Sequence, residues 1–414
     1  MNDPALRDGA PRHRAFLWLG LAGAAALLLE GLASGLLAIA AAWHLDYQPI
    51  DPTELTIEDR HTVEQFSRNE GDYVTHSPTL GWTLRPHGVS VDGYRANGQG
   101  LRGDREYAIT PPADQLRIAA FGDSHVHCDE VGNPDTWEAA LERLNTGLEV
   151  INFGVGGFGP DQAFLRFQEQ GIPFQPDIVL IGFMAENINR AVSVFRSFYQ
   201  PASPFAKPRF LLNGDGLQLA PNPLPTLADY GRLLATPAPV LLELGRHDYW
   251  FQTMPHAGPL DGLASMRLFK TALYLYRRGV GPTAIIGPDR VYRPDTEALE
   301  VVQRLFTRFH DEARRAGALP IFLLFPSHND ILRYTPPGPK RYQPLIQHFE
   351  AHGFRYIDLL DAFYAAAGKY EPGPVYAHFT PAENGVIAAA VRNYLATNAL
   401  TTRAAIREAR DAEH

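Results

Sequence analysis

The sequence contains a single cysteine, Cys128, so the chain cannot form an internal disulfide. The CxxC and HExxH patterns that commonly mark zinc sites are also missing. Positive charge is scarce: 37 Lys and Arg residues stand against 46 Asp and Glu, the net charge is −9, and the cations form no basic block. A general nucleic-acid binder needs massed cations against the phosphates, so that class of function is disfavoured and no nucleic-acid partner is expected.

One long hydrophobic run does stand out near the N-terminus. Residues 15–43 are almost wholly apolar and exceed the roughly 20 residues that a helix needs to cross a membrane. Three arginines precede the run and several carboxylates follow it, so the positive-inside rule predicts a cytoplasmic tail at 1–14 and an exported remainder. Ala38-Ile39-Ala40 is an alternative signal-peptidase site, although the run is long for a signal peptide. An uncleaved, single-pass anchor in the cell membrane is the prediction.

Glu30 lies in the middle of this run, where a carboxylate is costly and normally faces protein or water. Gly31 and Gly35 beside it form a GxxxG pattern, which allows close helix approach. Two interpretations stay open. Either the Glu30/Gly31/Gly35 face docks onto an integral-membrane partner, or the glycine spacing arises by chance in an Ala- and Gly-rich span.

The rest of the chain divides by its hydrophobic pattern. Residues 44–115 are a polar juxtamembrane segment followed by turn-rich pieces, which form either a structural flap or part of the substrate lining. From residue 116 to 396, short apolar strands alternate with helices, which indicates a parallel sheet covered on both faces. A long insertion at about 190–293 contains a hairpin signal and is expected to cap a site. Residues 397–414 are expected to be a tail.

The elements predicted for this domain follow one another in alternating order. Strands are expected at 116–121, 149–153, 177–183, 319–325 and 355–359, and helices at about 134–145, 160–170, 295–316, 340–351 and 381–396.

Chemistry-bearing residues follow three of these strands and precede the last helix. The first strand ends in Gly122-Asp123-Ser124, the second leads to Gly157, and the third to Asn187. The carboxyl ends of parallel strands share one sheet edge, where open α/β folds bind ligands. A serine there needs a nearby base, and His378, just before the last helix, is the candidate. Glycine N–H groups and an asparagine amide can stabilise an oxyanion.

In this order the four blocks resemble those of the GDSL/SGNH hydrolases. The resemblance covers about residues 116–396, with the insertion unmatched. It implies a flavodoxin-like three-layer α/β/α sandwich with five parallel strands. It also implies that Ser124 is the nucleophile and His378 the base, with the Ser124 N–H, Gly157 and Asn187 as the oxyanion hole. Asn189 is a weaker alternative to Asn187.

The sequence departs from that family beside the base. The family usually has Asp three residues before the histidine, where this chain has Val375. The group that orients His378 must then be a backbone carbonyl, another carboxylate such as Glu371 or Asp361, or nothing. A catalytically inactive, glycan-binding pseudo-enzyme is therefore an open alternative. The different α/β-hydrolase fold is disfavoured because its G-x-S-x-G elbow is absent.

Two other motifs could indicate a different kind of functional site. Gly154, Gly156 and Gly159 satisfy G-x-G-x-x-G, with Glu186 as a ribose-binding acid, which would indicate a dinucleotide-dependent oxidoreductase. That fingerprint normally follows the first strand of its sheet, however, and here it follows the second.

A cluster of potential metal ligands also follows the nucleophile, but no second cluster completes a tetrahedral set, so site lining or packing is the favoured role. No cation near Cys128 in the sequence would activate its thiol. The cluster comprises His125, His127, Cys128, Asp129 and Glu130.

These inferences together predict a serine esterase that needs no cofactor or metal. The resemblance and the anchor suggest that its substrate is an acylated carbohydrate or lipid of the cell envelope, with an O-acetyl ester as the expected bond. Whether water or a sugar hydroxyl resolves the acyl-enzyme, making an esterase or an O-acyltransferase, is left open by the sequence.

Overall fold

The structure of the chain is a computed structural model, which describes residues 10–43, 45, 47–369, 373–374 and 378–412. It forms two compact units. One comprises Met1–Pro52 with Thr253–Thr283, and the other comprises Thr53–Gln252 with Ala284–His414.

The helices in chain order are α1 (Ala10–Ala42), α2 (Ile57–Ser67), α3 (Ser124–His127), α4 (Trp137–Leu144), α5 (Pro160–Arg166), α6 (Leu227–Ala235), α7 (Pro237–Gly245), α8 (Tyr249–Thr253), α9 (Ala264–Gly279), α10 (Glu297–Arg315), α11 (His328–Arg333), α12 (Gln343–His352), α13 (Leu359–Ala365), α14 (Pro381–Thr397) and α15 (Arg403–Asp411). The strands are β1 (Val74–Ser77), β2 (Gly81–Leu84), β3 (Leu116–Phe121), β4 (Leu148–Asn152), β5 (Ile178–Met184), β6 (Arg209–Asn213), β7 (Gly216–Ala220), β8 (Leu319–Phe325) and β9 (Tyr356–Asp358).

The larger unit is built on a five-stranded parallel sheet in the order β4-β3-β5-β8-β9. The predicted α/β fold class with five parallel strands is confirmed, and the predicted strand bounds differ from those observed by no more than one residue. The chain leaves β3 toward β4 on one side and later continues through β5 on the other. This reversal of direction lies beside β3, and the carboxyl ends of the strands at such a point are where open α/β sheets bind ligands.

Side chains of the sheet alternate between two apolar layers. On one face, β3 residues such as Ile118 and Ala120 join a core that includes Trp137 of α4 and Ile387 of α14. On the other face, the Phe121 ring lies at 5.4 Å from that of Phe167 and at 6.3 Å from that of Phe309 on α10. Helices thus cover both faces, which explains why the strands are apolar throughout rather than alternating.

The insertion and the C-terminus contain more structure than the sequence indicated. The expected hairpin forms from β6 and β7, and the rest of the insertion contains helices α6 to α9, which were not predicted. The segment expected as a tail contains α15, and its Ile406 is buried in the core. Helices α6, α7, α8 and α15 have at most nine residues each, too few turns for a hydrophobic period to emerge. Helix α9 has 16 residues and an amphipathic pattern, so its omission from the predicted helices was an error.

The smaller unit contains the N-terminal helix. Within α1, residues Arg14–Ala42 form one apolar segment of 29 residues, long enough to cross a membrane by length and composition. Most of its side chains are exposed.

Candidate active site

The nucleophile candidate follows directly from the end of β3. Gly122 turns the chain where an added Cβ would lie 2.5 Å from the Val126 side chain, so only glycine fits. Asp123 then caps α3 by accepting a hydrogen bond from His125 N–H at 3.0 Å. Ser124 is the first residue of α3 and is largely buried. Its backbone N–H makes no hydrogen bond to the described part of the chain.

A tight turn after β4 presents a second free N–H group. Phe158 N–H donates to Val155 O at 3.2 Å, and Gly157 within this turn has φ +81°, a conformation that favours glycine. Trp82 of β2 donates its indole N–H to Gly156 O at 3.0 Å. Because C=O and N–H point in opposite directions across a trans peptide, this bond directs the Gly157 N–H away from Trp82. No acceptor for that N–H occurs among the described residues.

The turn after β5 brings Asn187 next to Asp123. The Asn187 side chain is 2% exposed, and its Oδ1 has no hydrogen-bond partner among the described residues. Burial alone would raise the pKa of Asp123, but interactions with His125, Arg190 and Asn187 outweigh this effect. The pKa of the Asp123 carboxyl therefore lies well below its usual range. The backbone carbonyl of Asn189 accepts the Trp250 indole N–H at 3.1 Å.

His378 precedes α14 and is held by a carboxylate that the sequence did not indicate. Glu130 Oε1 accepts from His378 Nδ1 at 2.9 Å, and Glu130 Oε2 accepts from the His378 backbone N–H at 3.3 Å. Of the two carboxylates predicted for this role, Asp361 instead pairs with Lys340 Nζ at 2.6 Å. Glu371 lies outside the described residues.

The histidine lies at the same sheet edge as the serine. Its ring centroid is 5.2 Å from that of His125, the residue that follows Ser124. Within the described chain, neither Ser124 Oγ nor His378 Nε2 makes a hydrogen bond to another group. The two groups are therefore brought to one edge without a hydrogen bond between them, and catalytic hydrogen bonds are often long in structures without substrate.

The other residues after Ser124 form a buried packing cluster. His127 hydrogen bonds through Nδ1 to Asp129 and through Nε2 to the Tyr73 hydroxyl. Burial lowers the pKa of His127 and raises that of the Cys128 thiol. Among the described residues, no group of three or more His, Cys, Asp or Glu side chains is placed to hold a metal ion. Site lining and packing account for this cluster.

The glycines of the dinucleotide pattern serve close packing. A Cβ on Gly154 would clash with the backbone nitrogen of His127, and one on Gly159 would lie 2.5 Å from Asp161 Oδ1. The strand before them, β4, is an edge strand of the sheet. The chain's own atoms thus occupy the space beside these glycines.

Sequence reasoning missed three contributors to the site. Glu130 appeared only as part of a possible metal cluster, and Trp82 only as part of a flap. Arg190, which donates to Phe158 O at 3.1 Å and lies 3.5 Å from Asp123 Oδ2, carried no signal at all. Each acts on a residue far away in the chain, so only the folded contacts show its role.

Comparisons with known proteins give distant similarities. No protein-family model and no curated protein matches the chain. Among solved structures it is similar to a G-D-S-L family lipolytic protein from Desulfitobacterium hafniense DCB-2, with 11% identity, TM-score 0.32, and coverage of 67% of this chain and 99% of that one. It is also similar to a G-D-S-L family member from Veillonella parvula DSM 2008, with 9% identity, TM-score 0.35, and 68% and 98% coverage.

A third similar structure is a catalytic mutant of an acetylxylan esterase from Geobacillus stearothermophilus, with 14% identity, TM-score 0.34, and 67% and 93% coverage. The family that the motifs resemble therefore recurs among the solved structures that the chain is similar to. Identity and superposition are low in every case, so the residues of the site decide the function.

Proposed function

We propose that the chain is a membrane-anchored serine esterase that acts on acyl esters through an acyl-Ser124 intermediate. One arrangement carries the proposal. Ser124 stands at the carboxyl edge of the sheet with two unpaired backbone N–H groups, its own and that of Gly157, while His378 is held at the same edge by Glu130. A nucleophile, two oxyanion donors and an oriented imidazole are the parts that acyl transfer requires.

The proposed reaction uses the contacts of His378. His378 Nδ1 carries the proton of its hydrogen bond to Glu130, so Nε2 is the unprotonated nitrogen. Nε2 accepts the Ser124 proton as Oγ attacks the ester carbon. The Ser124 and Gly157 N–H groups and the Asn187 amide stabilise the oxyanion. Collapse of the tetrahedral intermediate breaks the ester bond, and His378 gives the proton to the departing alcohol. Water, deprotonated by His378, then attacks the acyl-Ser124 ester, and its collapse releases the acid and restores the serine.

The position of Asn187 supports a role in this step. Its side chain is buried at the same sheet edge as Ser124, and its amide interacts with the Asp123 carboxylate next to the nucleophile. An amide N–H at this place is suited to donate to the oxyanion.

The substrate proposed is an O-acetyl ester on envelope carbohydrate or lipid. It rests on the motif resemblance and on α1 acting as an uncleaved anchor, with its N-terminus in the cytoplasm and the catalytic unit exported. A sugar hydroxyl replacing water in the second step would make the enzyme an O-acyltransferase. Product analysis with and without added saccharide distinguishes the two, since only transfer yields a newly acylated sugar.

The decisive experiment uses the full chain in detergent. A fluorophosphonate probe is expected to label Ser124 in the wild type and not in Ser124→Ala, as read by peptide mass spectrometry. Hydrolysis of a chromogenic acetyl ester is expected to fall by about 10³-fold or more in both Ser124→Ala and His378→Ala. Equal hydrolysis by all three chains excludes this mechanism. A folded wild type that neither labels nor hydrolyses supports the inactive glycan-binding alternative.

A further inference from the structure

The carboxylate of Glu30, in the middle of the apolar helix α1, has partners within its own compact unit. It accepts hydrogen bonds from Ala264 N–H at 2.6 Å and from Ser265 N–H at 3.3 Å, and also from the Ser265 hydroxyl. These are the first residues of α9. The N-cap residue of α9 is Leu263, which offers no side-chain acceptor, so Glu30 fills that role from another helix.

Helix α9 continues along α1 in the same direction. Beyond the end of α1, the Tyr47 ring stacks on that of Tyr274 in α9, with centroids 3.8 Å apart and planes inclined by 7°. The Tyr47 hydroxyl also donates to Pro255 O at 3.0 Å. These contacts hold α9 beside the second half of α1 and the chain that follows it, from Glu30 to Tyr47.

The surface of α9 is strongly two-sided. At 3.6 residues per turn, its larger apolar side chains occupy a continuous arc of about 160°. This lipid-facing arc, as we define it, consists of Leu268, Phe269, Ala272, Leu273, Leu275 and Tyr276. The opposite side carries Lys270, which donates to His256 O at 2.7 Å, and Arg277, which donates to Thr253 O at 2.8 Å. The polar side therefore contacts protein through Lys270 and Arg277, while Arg267 and Arg278 on it are exposed, and much of the apolar arc is left open.

The exposed apolar surface of α9 matches that of α1 beside it. Phe269 is 61% and Tyr276 53% exposed, while Leu36 and Ile39 of α1 are 52% and 58% exposed. Leaving both of these apolar surfaces in water is unfavourable. The carboxylate between the two helices, that of Glu30, already accepts hydrogen bonds from α9, as a polar group in hydrocarbon requires.

We propose that α9 is a second membrane element, embedded in the same leaflet as residues 30–42 of α1 with its lipid-facing arc against acyl chains. This rests on the proposed anchoring of the chain through α1. Tyr276, Arg277 and Arg278 then lie at the interface, where aromatic rings and basic side chains meet the lipid headgroups. Glu30 holds the beginning of α9 at depth, so the anchor has two parts joined by a carboxylate.

The test places a bimane label at single positions of the full-length chain in nanodiscs that contain one chain each. The lipids are phosphatidylcholine and phosphatidylglycerol, with or without bromine on the acyl chains. Phe269→Cys reports on the arc, Leu27→Cys on α1, and Asn393→Cys on an exposed residue of α14. The unsubstituted chain measures any labelling of the buried Cys128.

The proposal expects brominated lipid to quench the label of Phe269→Cys as strongly as that of Leu27→Cys, and to leave Asn393→Cys unchanged. Adding Glu30→Leu is expected to weaken quenching of Phe269→Cys while leaving Leu27→Cys as before. If Leu27→Cys is quenched and Phe269→Cys behaves like Asn393→Cys, then the arc is covered by something other than lipid and the inference is wrong. If Leu27→Cys is not quenched either, the failure lies with the proposed anchor itself.

Discussion

Glu130 shows how one residue restores a contact that the sequence lacks. It has φ +70°, two residues after Cys128 with φ +60°, and both are left-handed conformations that cost a non-glycine residue roughly 1–2 kcal/mol. Strain of this kind is usually found where a side chain has to be aimed. Here the tight backbone after α3 directs the Glu130 carboxylate at both N–H groups of His378, in place of the aspartate that Val375 replaces.

Replacing Glu130 should therefore impair the chemical step. We expect Glu130→Gln to lower kcat by about 10- to 10²-fold with little change in KM, because the amide still accepts from Nδ1–H but no longer stabilises the imidazolium. The loss stays well below the roughly 10⁴-fold reported for a buried orienting acid, because Glu130 is half exposed and water partly replaces it.

Asp361→Asn is the matched control for this measurement. Asp361 was one of the two carboxylates predicted to orient His378, but its carboxylate pairs with Lys340 instead. Its removal is expected to leave kcat unchanged. A larger loss of kcat for Asp361→Asn than for Glu130→Gln would assign the orienting role the other way round.

The residues that the sequence identified and those it missed differ in one physical respect. Ser124, Gly157, Asn187 and His378 were found because each follows or precedes a predicted element at a recognisable position. Glu130 acts on a residue 248 positions away, and nothing in the local sequence shows which strand ends or loops will meet.

At the scale of the elements, the loop that carries His378 is fixed by the first turn of α14. Glu383, buried there, accepts from Thr380 N–H at 2.8 Å, from Gly373 N–H at 3.1 Å and from His328 Nε2 at 2.9 Å. Burial raises the pKa of the Glu383 carboxyl, but these hydrogen bonds, that of His328 foremost, lower it further, to below its ordinary value.

This gives the stability of the chain a defined pH dependence. In the unfolded chain Glu383 titrates near its ordinary pKa of about 4.3, above its folded value. As pH falls through that window the unfolded state binds more protons, so stability present at neutral pH is lost. Glu383→Gln should lose about 1–3 kcal/mol at neutral pH and show a flatter acid limb in chemical denaturation. Glu408→Gln, at an exposed position of α15, should match the wild type at every pH. A steep acid limb retained in Glu383→Gln would contradict the assignment.

Trp82 on the short strand β2 is expected to affect catalysis, because its indole N–H holds the peptide that carries the Gly157 N–H. Trp82→Phe keeps the ring packing against Phe158 and Phe205 but removes the indole N–H that fixes Gly156 O. The Gly157 N–H is then free to rotate away from the oxyanion. We expect kcat to fall by about 10-fold, less than the roughly 10²–10³ for deleting an oxyanion donor outright.

The control for Trp82→Phe is Tyr107→Phe. It also removes a donor to a backbone carbonyl, Val150 O at 3.2 Å, from the same turn-rich region. Both variants should lose comparable thermal stability, but Tyr107→Phe should keep the wild-type kcat. Equal kcat in the two variants would show that the segment before β3 is only a structural flap.

Elements of the sheet were predictable, and those of the insertion were not. The strands are continuous apolar runs bounded by turns, because both faces of the sheet are covered, and such runs stand out in a sequence. The period of α10 is equally clear over its 19 residues. Helices α6, α7 and α8 are at most nine residues long, with Pro237 opening α7, and offer too few turns for a period to emerge.

At the scale of the whole molecule, the chain returns to its N-terminal helix after more than two hundred residues. Residues 253–283 belong to the same compact unit as the described part of residues 10–52. In the sequence, the unfavourable carboxylate in the apolar run and the insertion, which was expected to cap a site, were two separate features. The hydrogen bonds from α9 to Glu30 connect the two, and no rule of local pattern links positions so far apart.

This return predicts that the N-terminal helix is retained in the mature protein. The Ala38-Ile39-Ala40 pattern lies inside α1, which continues as regular helix to Ala42. Cleavage after Ala40 would also remove Glu30 and leave the beginning of α9 without its acceptor. Intact-mass measurement of the chain extracted from membranes should therefore give the full 45.8 kDa, in the wild type and in Ala40→Phe alike. A wild-type product that begins at Ala41, restored to full length by Ala40→Phe, would show that residues 15–40 act as a signal peptide and that the anchor interpretation is wrong.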